Sequence, residues 1–246
     1  MHEYGTDFYR FLASFAVRSA QRVVPELTAA LPVRGVADFG CGQGAWLSVW
    51  AAAGASVVGV DGPYIDRRHL LIETGDFYAA DLAAPINLGR QFDLVQSLEV
   101  AEHLPAARAA QFVDTLTAHG AYVLFSAAVP GQGGENHLNE QPLGYWRAIF
   151  RERGYCAVDY LRPLIRHDPA IARWYRCNIM LYVREDAVAA PAESARAHRV
   201  PDAQPLEDYW PLSYRLRHAL VRQLPSGVVD RISRTKGTLA ARRAGL

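Results

Sequence analysis

The chain is poor in cysteine: only Cys41, Cys156 and Cys177 are present, widely separated. Their number and spacing give neither a disulfide framework nor a zinc-binding pattern. No apolar run reaches membrane-spanning length, and no signal-peptide core stands near residue 1, so a cytoplasmic location is expected. Charge of one sign is also missing. The formal net charge is +1, which offers no global field to draw in nucleic acid or an acidic membrane. No internal repeat is evident. What remains is a 246-residue chain, half of it apolar, enough for the core of one three-layer domain with additions.

The densest local signal is Val36-Ala37-Asp38-Phe39-Gly40-Cys41-Gly42-Gln43-Gly44, an apolar strand ending on an acid before three closely spaced glycines. Gly40, Gly42 and Gly44 allow a tight turn and close backbone approach to a ligand. Ala45-Trp46-Leu47 then opens a helix whose first amides face that ligand. Gly40, Gly42 and Ala45 formally satisfy a dinucleotide fingerprint, but Asp38 argues against it. A carboxylate at the strand tip repels a pyrophosphate and attracts the ammonium and sulfonium of S-adenosylmethionine. Cys41 lies inside the turn, where its small size matters more than its thiol.

Further acids follow at strand ends. Ser56-Val57-Val58-Gly59-Val60 reads as a second buried strand closed by Asp61 and Gly62. Asp61 lies about twenty residues past the first turn, where an acid accepts both ribose hydroxyls. The run Gly75 to Leu82 places Asp81 just past a third strand, where it can receive the adenine amino group. The bland alternative for these positions is turn glycines and solvated loop aspartates.

From these motifs, residues 33–185 resemble the class I S-adenosylmethionine-dependent methyltransferases. The resemblance implies a Rossmann-like α/β fold of three layers around a seven-stranded sheet, mostly parallel with an antiparallel last strand. Phe92 to Ser97 looks like the family's fourth strand, followed by Leu98-Glu99-Val100-Ala101-Glu102-His103; Tyr122 to Ser126, Tyr155 to Tyr160 and Asn178 to Val183 look like strands five to seven. By similarity the cofactor pocket takes Asp38, Gly40, Cys41, Gly42, Gly44, Trp46, Asp61, Gly62, Asp81, Leu82, Ser97, Leu98 and Glu99.

Methyl transfer requires alignment of nucleophile and sulfonium and disposal of one proton. Two clusters offer the groups: Glu99, Glu102 and His103 after strand four, and the glycine-loosened loop Val129 to Gln141 after strand five, with His137 and Glu140. In one reading His103 or His137 is a general base steered by Glu102 or Glu140. In the other, Glu99, Glu102, His103 and His137 bind a divalent cation, Mg²⁺ or Mn²⁺. Glu-x-x-Glu-His with a later histidine is similar to metal-using O-methyltransferases of ubiquinone biosynthesis and of small-RNA 3′ ends. The pattern Gln132-Gly133-Gly134, His137, Asn139-Glu140-Gln141, then Tyr145-Trp146 and Phe150, resembles a bacterial branch found beside sugar, polysaccharide or secondary-metabolite biosynthesis. That implies a small, polar acceptor and O-methylation ahead of N-methylation. Gln132, Asn136, Asn139 and Gln141 suit a polar acceptor, and Tyr145 or Trp146 can stack on it, unless the aromatic residues, Phe150 above all, form a core face.

Residues 1–32 form an amphipathic helical cap ending near Pro25 or Pro32, with Tyr4, Phe8 and Tyr9 able to reach the cleft. Residues 186–205, rich in Ala and Pro, read as a linker. Residues 206–246 read as a basic helical tail with eight Lys or Arg against three Asp or Glu. Leu212, Leu216, Ala219, Leu220 and Gln223 share one face of it, a surface suited to a homo-oligomer contact or an anionic partner. The competing functions are a noncatalytic adenosyl-binding scaffold, a nicotinamide oxidoreductase, which Asp38 disfavours, and a nucleic-acid methyltransferase, for which the core lacks a basic groove.

Overall fold

The computed structural model describes residues 6–225, 227–233 and 235. Tyr4 and the side chains of Phe8 and Tyr9 lie outside what it describes. Seven strands, β1 (Gly35–Phe39), β2 (Ser56–Asp61), β3 (Phe77–Ala79), β4 (Leu94–Leu98), β5 (Tyr122–Ser126), β6 (Tyr155–Val158) and β7 (Met180–Arg184), form one sheet in the order β3-β2-β1-β4-β5-β7-β6. β7 alone runs antiparallel, against both β5 and β6. The expected fold is therefore the observed one. The inner strands are continuous apolar runs because helices cover both faces of the sheet.

One face packs under α1 (Thr6–Ala30), α2 (Ala45–Ala52), α5 (Leu161–Ile165) and α6 (Arg173–Asn178), with Leu27, Leu47, Trp50 and Ile179 at the centre. The other packs under α3 (Ala109–Thr117) and α4 (Leu143–Glu152), around Phe39, Phe112, Phe125 and Phe150. α1 continues through Pro25 to Ala30 rather than ending at the proline. An interior proline costs about 3 kcal/mol. Burial of Val23, Val24 and Leu27 on either side of it outweighs that.

The stretch 186–205, read as a linker, is folded onto the body. α7 (Glu193–Arg196) buries Ala195 completely, the Ala192 amide donates to Ala30 O (2.9 Å), and Val158 pairs antiparallel with Arg199. Alanine and valine side chains fill shallow grooves that need no large residue, and the pairing covers the open edge of β6. Beyond it, α8 (Leu212–Val221) and a helical segment at 227–233 lie over the loop that follows β5.

Strand order reverses between β1 and β4. In a doubly wound sheet the crevice at that switch point, beyond the strands' carboxyl ends, receives the ligand. The glycine turn after β1 and the Glu99–His103 segment after β4 both open there.

Candidate active site

The glycine turn takes the left-handed conformations that its glycines allow. Gly40, Gly42 and Gly44 have φ of 92°, 55° and 82°. A Cβ on Gly40 would collide with Val100, which follows β4, so this glycine lets the two loops meet. Gly42 is different. A Cβ there would meet nothing within 4 Å, leaving open space where a ligand can lie directly against the backbone.

Asp38 is buried beneath the turn, in register with Gln96 on β4. Trp50 Nε1 donates to Gln96 Oε1 (2.9 Å), and because an indole only donates, the Gln96 amide must present its NH₂ to Asp38, at 2.7 Å. Burial pushes the Asp38 carboxyl up to about 7, with the charge of Asp61 adding and Gln96 opposing. A buried carboxylate with one hydrogen-bond donor suits a cationic ligand, so the residues present fit S-adenosylmethionine. Asp61, also buried, accepts from Gly42 N (2.7 Å), Gly62 N (2.6 Å) and Tyr64 OH (2.7 Å). Burial raises its pKa against those three donors. Asp61 thus holds the glycine turn, and Tyr64 OH occupies one acceptor position on the carboxylate assigned to ribose.

The other residues expected in the cofactor pocket divide by role. Ser97 Oγ donates to Phe39 O (2.7 Å), tying β4 to β1, while Leu98 and Leu82 are buried. Trp46 packs edge-on against Tyr175 at 5.1 Å. Asp81 is exposed and accepts from Ala83 N (3.0 Å), stabilising its own turn. Burial and the charges of Asp38 and Asp61 push the Cys41 thiol well up, so it is no nucleophile.

Glu99 has φ of 57°, an uncommon conformation for a residue with a side chain, held by its amide on Ser126 O (2.9 Å). Its carboxyl accepts from Gln132 Nε2 (2.8 Å) and Asn178 Nδ2 (3.3 Å), and Asn178 Oδ1 accepts from Trp210 Nε1 (3.0 Å). This network joins the loops after β4 and β5, the end of α6 and the tail. Burial raises the pKa of Glu99 against its donors Gln132 and Asn178.

Of the four residues read as metal ligands, Glu102, His103 and His137 come together, with one ligand atom of each within 4.8 Å of the others. Glu99 does not join that group; Gln132 and Asn178 hold it instead. Glu102 is buried, and its Oε2 has no hydrogen-bond partner among the described residues. Burial and then the charge of Glu99 push its pKa well above the usual range.

The two imidazoles meet edge to face at 5.0 Å. His103 Nδ1 lies 3.2 Å from Asn136 O, and desolvation together with His137 pushes its pKa down to about 4. His137 Nδ1 lies 2.8 Å from Glu140 Oε1. The carboxylate pair is thus His137 with Glu140, and His103 is steered by a carbonyl rather than by Glu102. Glu140 also accepts from Gly131 N and Gly133 N, each at 2.7 Å. Burial works to raise its pKa, but the hydrogen bond and charge of His137 and the two amides outweigh that and lower it.

The polar residues of this loop mostly build the loop. Gln132 bonds Glu99, and Asn139 is buried with its Oδ1 accepting from Gln141. Trp146, read as a stacking platform, is instead a core residue against Phe125 (5.0 Å), as is Phe150. Sequence reasoning passed over Gln96, Tyr64, Asn178 and Trp210. A signal existed for Gln96, a polar residue inside an otherwise apolar buried strand. None existed for Trp210, whose partner is 32 residues away.

A family profile described as a methyltransferase domain matches residues 11–163. The chain belongs to that family. It is an S-adenosylmethionine-dependent methyltransferase of class I, and its fold recurs in solved structures. The magnesium protoporphyrin IX methyltransferase of Synechocystis PCC 6803 with bound S-adenosylmethionine is 22% identical, over 75% of this chain and 86% of that one, with a TM-score of 0.50. A sugar N-methyltransferase of Streptoalloteichus sp ATCC 53650 is 18% identical, over 75% and 96%, at 0.54. An amino pentose methyltransferase of Micromonospora echinaspora is 17% identical, over 75% and 99%, at 0.51. No curated protein matches the sequence. No described helix is long and apolar enough to cross a membrane.

Proposed function

We propose that this methyltransferase transfers its methyl group to a hydroxyl of a small, polar acceptor, with His137 as the general base. The observation that carries this reading is the His137–Glu140 pair beside the switch-point crevice. Because a carboxylate only accepts, Nδ1 carries the hydrogen and Nε2 keeps its lone pair for the acceptor's proton. Glu140 fixes the ring and stabilises the imidazolium that forms. When bound, S-adenosylmethionine supplies a methyl group on a sulfonium that departs as a neutral thioether. The chain's own contribution is alignment by the glycine turn, a buried anion at Asp38, and removal of one proton. A hydroxyl must lose that proton, whereas a neutral amine attacks without a base, which favours O-methylation. Two similar structures act on sugars by description, which supports a polyhydroxylated acceptor.

The second reading rests on the orphaned Glu102 oxygen within the Glu102, His103 and His137 cluster. These three residues fit a divalent cation, which would hold and acidify an acceptor hydroxyl. Donation of each Nδ1 to an oxygen is also the usual support of a metal-binding histidine. The experiment follows S-adenosylhomocysteine release across a panel of sugar and phenolic acceptors. With the base, His137→Ala loses about 10²–10⁴-fold in kcat at unchanged cofactor affinity, and metal stripping changes nothing. Loss of activity on chelation, restored by Mg²⁺ or Mn²⁺ in the wild type alone, would select the metal instead. Near-normal turnover in both His103→Ala and His137→Ala refutes both.

A further inference from the structure

The C-terminal segment roofs the loop that carries His137. Arg217 Nη1 donates to Gln132 O (2.9 Å), Arg222 Nε donates to Pro130 O (2.9 Å), and Asn136 N donates to Asp230 Oδ1 (3.2 Å). The inward side of α8 is therefore Tyr214, Arg217, His218 and Val221, the half-buried or buried positions. The outward side is apolar. Leu212, Leu216 and Leu220 are 69%, 60% and 71% exposed, and past the end of α8 Leu224, Val228 and Ile232 are exposed at 42%, 43% and 41%. Scattered exposed leucines need no explanation, but Leu212, Leu216 and Leu220 share one face of α8, and with the three apolar residues exposed beyond its end they make this segment's surface apolar. Arg215, paired with Asp208, Arg222, whose Nε reaches Pro130 O, and Arg231 are exposed beside them.

We propose that this face docks in the plane of an anionic lipid bilayer, with the leucine row in the acyl boundary and the arginines at the headgroups. Charge decides between the possible occupants. A second copy would set the same face against itself, and residues 206–246 hold eight Lys or Arg against three Asp or Glu, so self-pairing brings like charges together. Of the three acids, Asp208 is paired with Arg215, which removes one charge of each sign, and Asp230 is committed to the Asn136 amide, so the excess remains positive. An anionic leaflet supplies both the apolar layer and the opposite charge that an amphipathic basic helix requires. The inward side of the same segment holds the catalytic loop, so docking would bring the crevice to the membrane surface. The docking surface itself does not depend on which acceptor is methylated.

The test is flotation of the full-length protein with vesicles of phosphatidylcholine alone or mixed with phosphatidylglycerol, at low and high salt, beside light scattering for oligomeric state. The expected result is a monomer that floats with the phosphatidylglycerol vesicles, less at high salt, and hardly at all with phosphatidylcholine. The double variant Leu216→Glu/Leu220→Glu, folded by circular dichroism because both side chains are exposed, should bind at least about tenfold more weakly. No flotation with anionic vesicles overturns the proposal. So does equal flotation of the variant, which would mean charge adsorption alone, and so does a wild-type dimer that the variant converts to monomer, which would mean a second copy covers the face.

Discussion

Cofactor affinity should fall with acid as Asp38 is protonated. Its carboxyl titrates at about 7 because it is buried with Gln96 as its one side-chain donor. A cation bound beside it needs the ionised form. One pH unit below the midpoint about a tenth is ionised, so affinity should fall about tenfold per unit, or about 1.4 kcal/mol. The fall continues until the neutral form's own affinity takes over. A charge pair about 4 Å apart at an effective dielectric near 20 is worth about 4 kcal/mol, which places that floor about a thousandfold down. Isothermal titration with S-adenosylmethionine between pH 5.5 and about 7.5, below the titration of the cofactor's own amine, reads this slope directly. Asp38→Asn should flatten it near the floor. Gln96→Leu removes the donor that stabilises the charge and should move the midpoint above 7. Stability follows in the opposite sense. The folded pKa lies above the unfolded value, so the folded state binds the extra proton, and the free protein loses stability as pH rises from about 4 to about 7. Because the ammonium of S-adenosylhomocysteine also needs the ionised Asp38, the thermal shift that ligand gives should be larger at about pH 7.5 than at about pH 6. A pH-independent affinity, or the same slope in Asp38→Asn, refutes the argument.

Gly42→Val should abolish S-adenosylhomocysteine binding while costing only about 1–2 kcal/mol of stability, since its Cβ enters open space but at a left-handed φ of 55°; calorimetry on folded variant that finds normal affinity would show that the ligand lies elsewhere. Trp210→Phe keeps the ring but strands the buried Asn178 oxygen, which should cost about 1–3 kcal/mol in thermal unfolding and loosen Glu99, lowering turnover as well; an unchanged melting temperature would mean the tail does not support the site.

The sequence by itself determined the sheet and the glycine turn that opens into the crevice. Both depend on local rules: a strand buried on two faces must be a continuous apolar run, and a turn with positive φ must be glycine, so Val36 to Gly44 reads correctly without any partner. The reversed last strand came from resemblance alone. The tertiary structure decided everything that depends on which distant groups meet. It paired His137 with Glu140, kept Glu99 out of the Glu102, His103 and His137 cluster, and made Gln132 a structural donor where sequence offered a substrate contact. It also folded 186–205 onto β6 through small side chains and backbone hydrogen bonds, and laid the tail over the loop after β5 through Arg217 and Arg222 donating to its carbonyls, contacts with no periodic signature in the sequence. Composition sets what a segment can bury; only the folded chain sets what it is buried against.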